Sequence, residues 1–101
     1  MPEKAWTVAF GDFALIVRRT TLKGELNDFA VVLLAFVSGK WVDITRYDTA
    51  HGTPHRDILG AKRGLRFKRW MDDIAFAEAF NYAIRDCTEN AEIYLADFLA
   101  H

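Results

Sequence analysis

Hydrophobic and polar positions follow a two-residue alternation up to about Trp70 and a helical period after it. Phe13 to Arg19 is rich in branched and aromatic residues and predicts a strand, and Thr20 to Asp28, with Gly24 and Asn27, reads as a turn. Phe29 to Val37 is apolar on both parities, the pattern of a strand covered on both faces. Ser38-Gly39 is a hairpin turn signal. Trp41 to Asp48 then alternates, which puts Val42, Ile44, Arg46 and Asp48 on one face and Trp41, Asp43, Thr45 and Tyr47 on the other. Residues 5–10, closed by Gly11-Asp12, and Leu65 to Trp70 are the further candidates. In the second of these, Leu65 and Phe67 point inward and Arg66 and Lys68 outward.

Beyond Trp70, Phe76, Phe80, Ala83, Cys87, Ala91, Tyr94 and Phe98 recur at steps of three and four, with Ile84 and Leu95 widening the stripe. Asp72 is a natural N-cap, and Met71 with Phe76 makes a hydrophobic staple. The stripe keeps its phase through Asp86 to Asn90 and predicts one long helix, about 43 Å at 1.5 Å per residue. That outruns a domain of this size, so a kink near Thr88 or a partner subunit over the far end is expected. The apolar stripe needs a surface, and the strands supply one. The expected fold is therefore α+β: one domain over 1–101, with an antiparallel meander of four to five strands in 1–70 and the long C-terminal helix of 71–101 packed on one face.

Composition adds limits. The chain has 101 residues, 51% hydrophobic and 27% charged, which excludes a disordered chain. Its single cysteine, Cys87, excludes an intrachain disulfide and fits a reducing compartment. Phe29 to Val37 is the longest apolar run, far short of the roughly 20 residues of a membrane helix. No apolar segment follows the start Met1-Pro2-Glu3-Lys4, so a soluble, cytoplasmic protein is expected, with no membrane association. The net charge of −1 hides an asymmetry: residues 1–70 carry 12 basic against 7 acidic groups, and residues 71–101 carry 1 against 7. Such a division suits an anionic ligand on a basic face, or two surfaces that pair between subunits of a homodimer.

The candidate chemistry lies in the run from Arg46 to Asp57, where two of the three histidines fall beside two arginines and two aspartates. Gly52 and Pro54 stiffen the loop, so Arg46, Asp48, His51 and His55 are expected to converge on an accessible rim. Three readings of these residues stand together. In one, His51 and His55 act as general acid and base, Arg46 or Arg56 stabilises a phosphorane-like transition state, and Asp48 or Asp57 fixes a histidine tautomer. In another, His51, His55 and Asp48 or Asp57 hold a divalent metal. His-x-x-x-His suits zinc best on a helix, which Pro54 forbids, so no metal and no cofactor are assigned. In the third, the arginines and aspartates pair, the histidines bond loop backbone, and nothing is catalysed. Downstream, Arg56, Lys62, Arg63, Arg66, Lys68 and Arg69 face only Asp57, with Phe67 and Trp70 among them. A basic ribbon with interleaved aromatics suits a nucleic-acid backbone and an unstacked base; packing against the acidic helix is the plainer reading.

The run RYDTAHGTPHRDILG, the strands before it and the closing FAEAFNYAIRDCTENAEIYLADFL resemble a group of small prokaryotic proteins similar to the TumE-like toxins of type II toxin–antitoxin pairs. The resemblance covers residues 29–70, with the helix matching in pattern. It implies a toxin-like α+β protein that acts on or binds RNA, with an antitoxin partner and a site at Arg46, Asp48, His51 and His55. The alternative is a non-enzymatic oligomerising domain whose long helix is its interface.

Overall fold

The computed structural model describes residues 2–101, apart from the side chain of His51. Six strands run in chain order, β1 (Glu3–Phe10), β2 (Phe13–Leu22), β3 (Glu25–Val37), β4 (Lys40–Asp48), β5 (His55–Gly60) and β6 (Gly64–Trp70). They form one antiparallel sheet of order β1-β2-β3-β4-β5-β6. Two helices follow, α1 (Phe76–Glu89) and α2 (Ala91–Leu99). The α+β meander with its C-terminal helical layer is as the sequence predicts, but the sheet has six strands rather than four or five. Both outer segments pair, the stretch from Thr20 to Asp28 is mostly strand, and His55–Gly60, which begins in the expected loop, is the additional strand. Its turn shrinks to Lys23-Gly24, both at positive φ (53° and 79°), as Ser38-Gly39 is (51° and 84°). That conformation matches the right-handed twist of the flanking strands, so each two-residue loop continues the sheet.

One face of the sheet is covered. Phe13, Leu15 and Val17 of β2, Phe29, Val31, Leu33 and Ala35 of β3, and Tyr47 of β4 are buried with Ala79, Phe80, Ala83, Cys87, Ala91 and Phe98 of the helices. Phe29 is fully buried and meets Phe76 and Phe80 edge-on at 6.4 and 5.4 Å. Its truncation to Ala would cost about 3–5 kcal/mol. Trp6 of β1 touches Phe80 at 6.4 Å, so α1 reaches across three strands. The other face carries no helix, and Ile16, Phe36 and Trp41 on it are more than two-fifths exposed.

The expected single helix is two. The chain breaks at Asn90 (φ −116°, ψ 19°), whose side-chain amide donates to Asp86 Oδ1 (2.8 Å) and whose backbone N–H donates to Asp86 O. Asparagine offers the backbone a side-chain alternative to the helical ladder, which is why the break falls there rather than near Thr88. The pieces are about 21 and 14 Å long, so the helix no longer outruns the domain, and the length argument for a partner subunit lapses. Asp72 is not an N-cap either. The chain turns through Asp73 at φ 61°, and α1 starts at Phe76 after Ala75 with no side-chain cap. No helix among the described residues is long and apolar enough to cross a membrane.

Candidate functional site

A bulge decides where the predicted residues point. Leu33 pairs with Thr45 and Leu34 with Asp43, so Ile44 is the extra residue of β4. Each residue after a bulge changes face relative to a straight strand. Val42 and Tyr47 therefore join the helix-covered core. Arg46 and Asp48 lie on the uncovered face, away from Val42, and the clean alternation expected over Trp41 to Asp48 does not hold.

On that face β4, β5 and β6 bring four charged groups together. Asp48 lies opposite His55, Arg46 opposite Asp57, and Asp57 opposite Lys68. Lys68 Nζ donates to Asp57 Oδ1 at 2.7 Å, and Arg46 Nε is 3.9 Å from Asp57 Oδ2. His55 is 1% exposed, with the Trp70 ring 4.8 Å away. Its Nδ1 is 3.1 Å from Thr53 O. A carbonyl only accepts, so Nδ1 carries a proton. Nε2 then faces Asp48 Oδ1 at 3.0 Å and Asp57 Oδ1 at 3.6 Å without an aligned hydrogen bond. A lone pair there opposes two carboxylates, whereas a second proton makes an ion pair with Asp48. Asp48 and Asp57 together offset Arg46 and Lys68 in charge.

The loop is tied at both ends. Thr49 is buried; its hydroxyl donates to Asp28 Oδ1 (2.8 Å) and accepts from the Phe29 N–H (3.1 Å). Asp48 Oδ1 accepts from the Ala50 N–H (2.9 Å), and Pro54 O accepts from Met71 N–H (2.9 Å). His51 stands in the short 3-10 turn Ala50–Gly52, and its side chain is outside the described residues. The structure thus brings Arg46, Asp48 and His55 together and adds Asp57 and Lys68. One ligand atom each from Asp48, His55 and Asp57 lies within 4.8 Å of the others, an oxygen and nitrogen set of the kind that suits Zn²⁺ or Mn²⁺. His55 has the backbone-bonded second nitrogen usual for a ligand, and the Lys68 ammonium stands where such an ion would meet Asp57.

The basic ribbon divides. Arg56 is not part of a surface. It is 8% exposed on the covered side, its Nε–H donates to Thr45 Oγ1 (2.9 Å), and its guanidinium lies 3.9 Å over the Tyr94 ring. Arg66 pairs with Asp97 of α2 at 2.7 Å, within one chain. Lys62, Arg63 and Arg69 are exposed and have no carboxylate within 4 Å among the described residues. Leu65 and Phe67, expected inward, are 52% and 45% exposed, and Trp70 is 46% exposed. β6 is an edge strand that the helices cover incompletely, so its apolar side chains are left about half exposed.

Asp86 is the charged residue that sequence reasoning missed. It is buried on the covered side, where Oδ2 accepts from Tyr47 (2.6 Å) and Tyr94 (2.7 Å) and Oδ1 from Tyr94 and Asn90 (both 2.8 Å). Burial first, and then Asp86, push both phenols well above the usual tyrosine range. The same causes push the Cys87 thiol up to about 12. The available signal was spacing: Asp86 follows Ala83 by three and precedes Asn90 by four, inside the apolar stripe.

Comparison of the chain with curated proteins and with solved structures gave no match. A family model described as a domain of unknown function, DUF7718, matches residues 1–101. The chain belongs to the DUF7718 family.

Proposed function

We propose that the protein binds RNA along its β6 edge and is the toxin-like member of a pair with an antitoxin. One observation carries the reading: Phe67 and Trp70 are half-exposed on an edge strand that carries Arg69 and follows the turn of Lys62 and Arg63, and these three cations have no acidic partner among the described residues. Flat rings take unstacked bases, and free cations take phosphates. The Arg46, Asp48, His55 cluster lies next to that edge, with Trp70 between His55 and solvent. Cleavage is the narrower form of the proposal. In it, His55 and His51 move protons and Arg46 stabilises developing charge. His55 reaches a ribose only when Trp70 swings aside, so Trp70 would act as the cover of the site. The resemblance of residues 29–70 to TumE-like toxins supports the antitoxin partner, and the single cysteine supports a cytoplasmic setting.

Fluorescence anisotropy with a labelled single-stranded RNA tests binding. Three phosphate contacts predict a slope of about −2 in log K against log salt, and each of Lys62→Ala, Arg63→Ala and Arg69→Ala should reduce it by about 0.7. No binding near 50 mM salt would end the proposal. If cleavage occurs, His55→Ala or His51→Ala should slow it about 10²–10⁴-fold, and EDTA should leave it unchanged. Loss in EDTA with recovery on one divalent ion would transfer the chemistry to a metal on Asp48, His55 and Asp57.

A second reading, a non-enzymatic homodimer, is favoured by the exposed Ile16, Phe36 and Trp41 on the uncovered sheet face. Its interface would be that face rather than the helix. Light scattering of the wild type and of Trp41→Glu distinguishes it.

A further inference from the structure

The covered side of the sheet contains a cavity of about 300 Å³ where the end of β6 meets both helices. Arg56, Arg69, Trp70, Tyr82, Tyr94 and Asp86 are among the residues around it. Its size is at the small end of ligand sites.

Arg56 is the unusual wall residue. A buried arginine normally has a carboxylate partner. Here the Nε–H is used by Thr45 and the guanidinium face by Tyr94. The two terminal amino groups have no carboxylate within 4 Å among the described residues and are not among the buried unpartnered atoms, so they are open to solvent. Asp86, the one acidic group on the wall, already accepts from Tyr47, Tyr94 and Asn90. It makes no ion pair within 4 Å with Arg56. Arg69 adds a second cation without an acidic partner, so two guanidinium groups face one committed carboxylate. An anionic oxygen can take these solvent-reached donors through charge-assisted, bidentate bonds. The remaining wall includes Tyr47, Tyr82 and Tyr94, with Tyr82 more than two-fifths exposed.

We infer that this cavity binds a compact planar anion, a carboxylate or phosphate carried on an aromatic or heteroaromatic ring. Its oxygens meet Arg56 and Arg69, and its ring lies against the aromatic wall. The inference goes beyond RNA binding: Arg69 is common to both, but Lys62, Arg63 and the His55 cluster lie outside the cavity and Tyr82 lines it.

Isothermal titration at low salt tests it with four probes: a nucleoside monophosphate such as AMP, an aromatic carboxylate such as 4-hydroxybenzoate, inorganic phosphate, and uncharged adenosine. At least one ring-bearing anion should bind once per chain with Kd below about 1 mM. Phosphate and adenosine should each bind at least roughly tenfold more weakly. The first two probes separate a nucleotide source from a carboxylate one. Arg56→Gln should abolish binding. Because that variant risks misfolding, Arg69→Gln and Tyr82→Ala provide a second arm and should each weaken binding roughly five- to tenfold with the circular dichroism unchanged. Tyr82→Ala should leave RNA binding intact, and Lys62→Ala should leave anion binding intact, so the two proposals fail separately. The inference is overturned if no ring-bearing anion saturates the protein, if adenosine binds as tightly as AMP, or if affinity survives both Arg69→Gln and Tyr82→Ala.

Discussion

Removal of the Tyr47 hydroxyl tests the join between sheet and helices. Tyr47 reaches from β4 into the helical layer and donates to Asp86 at 2.6 Å. In Tyr47→Phe the ring keeps its place in the core and its edge contact with Tyr82 at 6.2 Å. Only the hydrogen bond is lost. A buried bond to a charged acceptor contributes about 1.5–3 kcal/mol. Asp86 still accepts from Tyr94 and Asn90, so it is not orphaned, and the lower half of that range, about 1.5–2 kcal/mol, applies. An unfolding entropy of about 2.1 cal/mol/K per residue gives about 0.2 kcal/mol/K for this chain, and hence a fall in Tm of about 7–10 °C. Asp86→Ala strands three donors, on Tyr47, Tyr94 and Asn90, and should cost about 3–5 kcal/mol. Calorimetry of both single variants and the double variant completes the cycle. Tyr47→Phe should add little once Asp86 is gone, a coupling of about 1–2 kcal/mol. A Tm shift under about 2 °C for Tyr47→Phe, or costs that simply add, would refute the reasoning.

Alkaline pH should destabilise the fold. Tyr47 and Tyr94 have folded-state values raised above the ordinary phenol value, so above about pH 10 the unfolded chain releases protons that the native chain retains. Stability is full below that point and declines as pH rises, by about 1.4 kcal/mol per pH unit for each phenol. Urea melts from pH 8 to 11.5 measure the decline, and Tyr47→Phe should flatten it. Cys87 is fully buried with its thiol raised to about 12, so Ellman's reagent should react with it only at the rate of unfolding; fast labelling of native protein would contradict the described packing. Gly39→Ala and Gly60→Ala should differ. A Cβ at Gly39 meets nothing within 4 Å and suffers only its φ of +84°, about 1 kcal/mol. A Cβ at Gly60 lies 3.0 Å from the His101 backbone, so that variant should lower Tm more and disturb the C-terminus in NMR spectra.

The sheet was legible where side-chain period and turn chemistry agree. The hairpin at Ser38-Gly39, the strand from Phe29 and the return strand from Trp41 all come from such agreement. What failed was phase. The bulge at Ile44 has no signature in local composition, because Ile44 is as apolar as a regular strand residue, so Tyr47 was assigned to the wrong face. The helix break was hidden for a related reason: Cys87, Ala91, Tyr94 and Phe98 keep one stripe across it, and only the side chain of Asn90 interrupts the backbone. The site was half legible. Arg46, Asp48 and His55 were found because charged groups cluster at a strand end. Asp57 stood as an alternative to Asp48 and Lys68 as part of the basic ribbon; cross-strand pairing, which a single sequence does not display, brings both into the cluster. Arg56 was misplaced among the surface cations because its neighbours in the chain are exposed, while alternation along β5 turns it to the covered side.

The meander also bears on how the chain reaches its native state. Every strand pairs with its immediate neighbour in sequence, so the sheet can zip from any hairpin without waiting for a distant partner. The long closures are made by the helices, when α1 brings Phe80 onto Trp6 and the end of α2 bonds the turn after β5 through Ala61 N–H to Phe98 O. Loop-closure entropy is therefore concentrated in one late docking step. Folding should be fast in the sheet and limited by helix arrival. Substitutions at Phe80 or Phe98 should then chiefly speed unfolding, while those at Ser38-Gly39 slow folding.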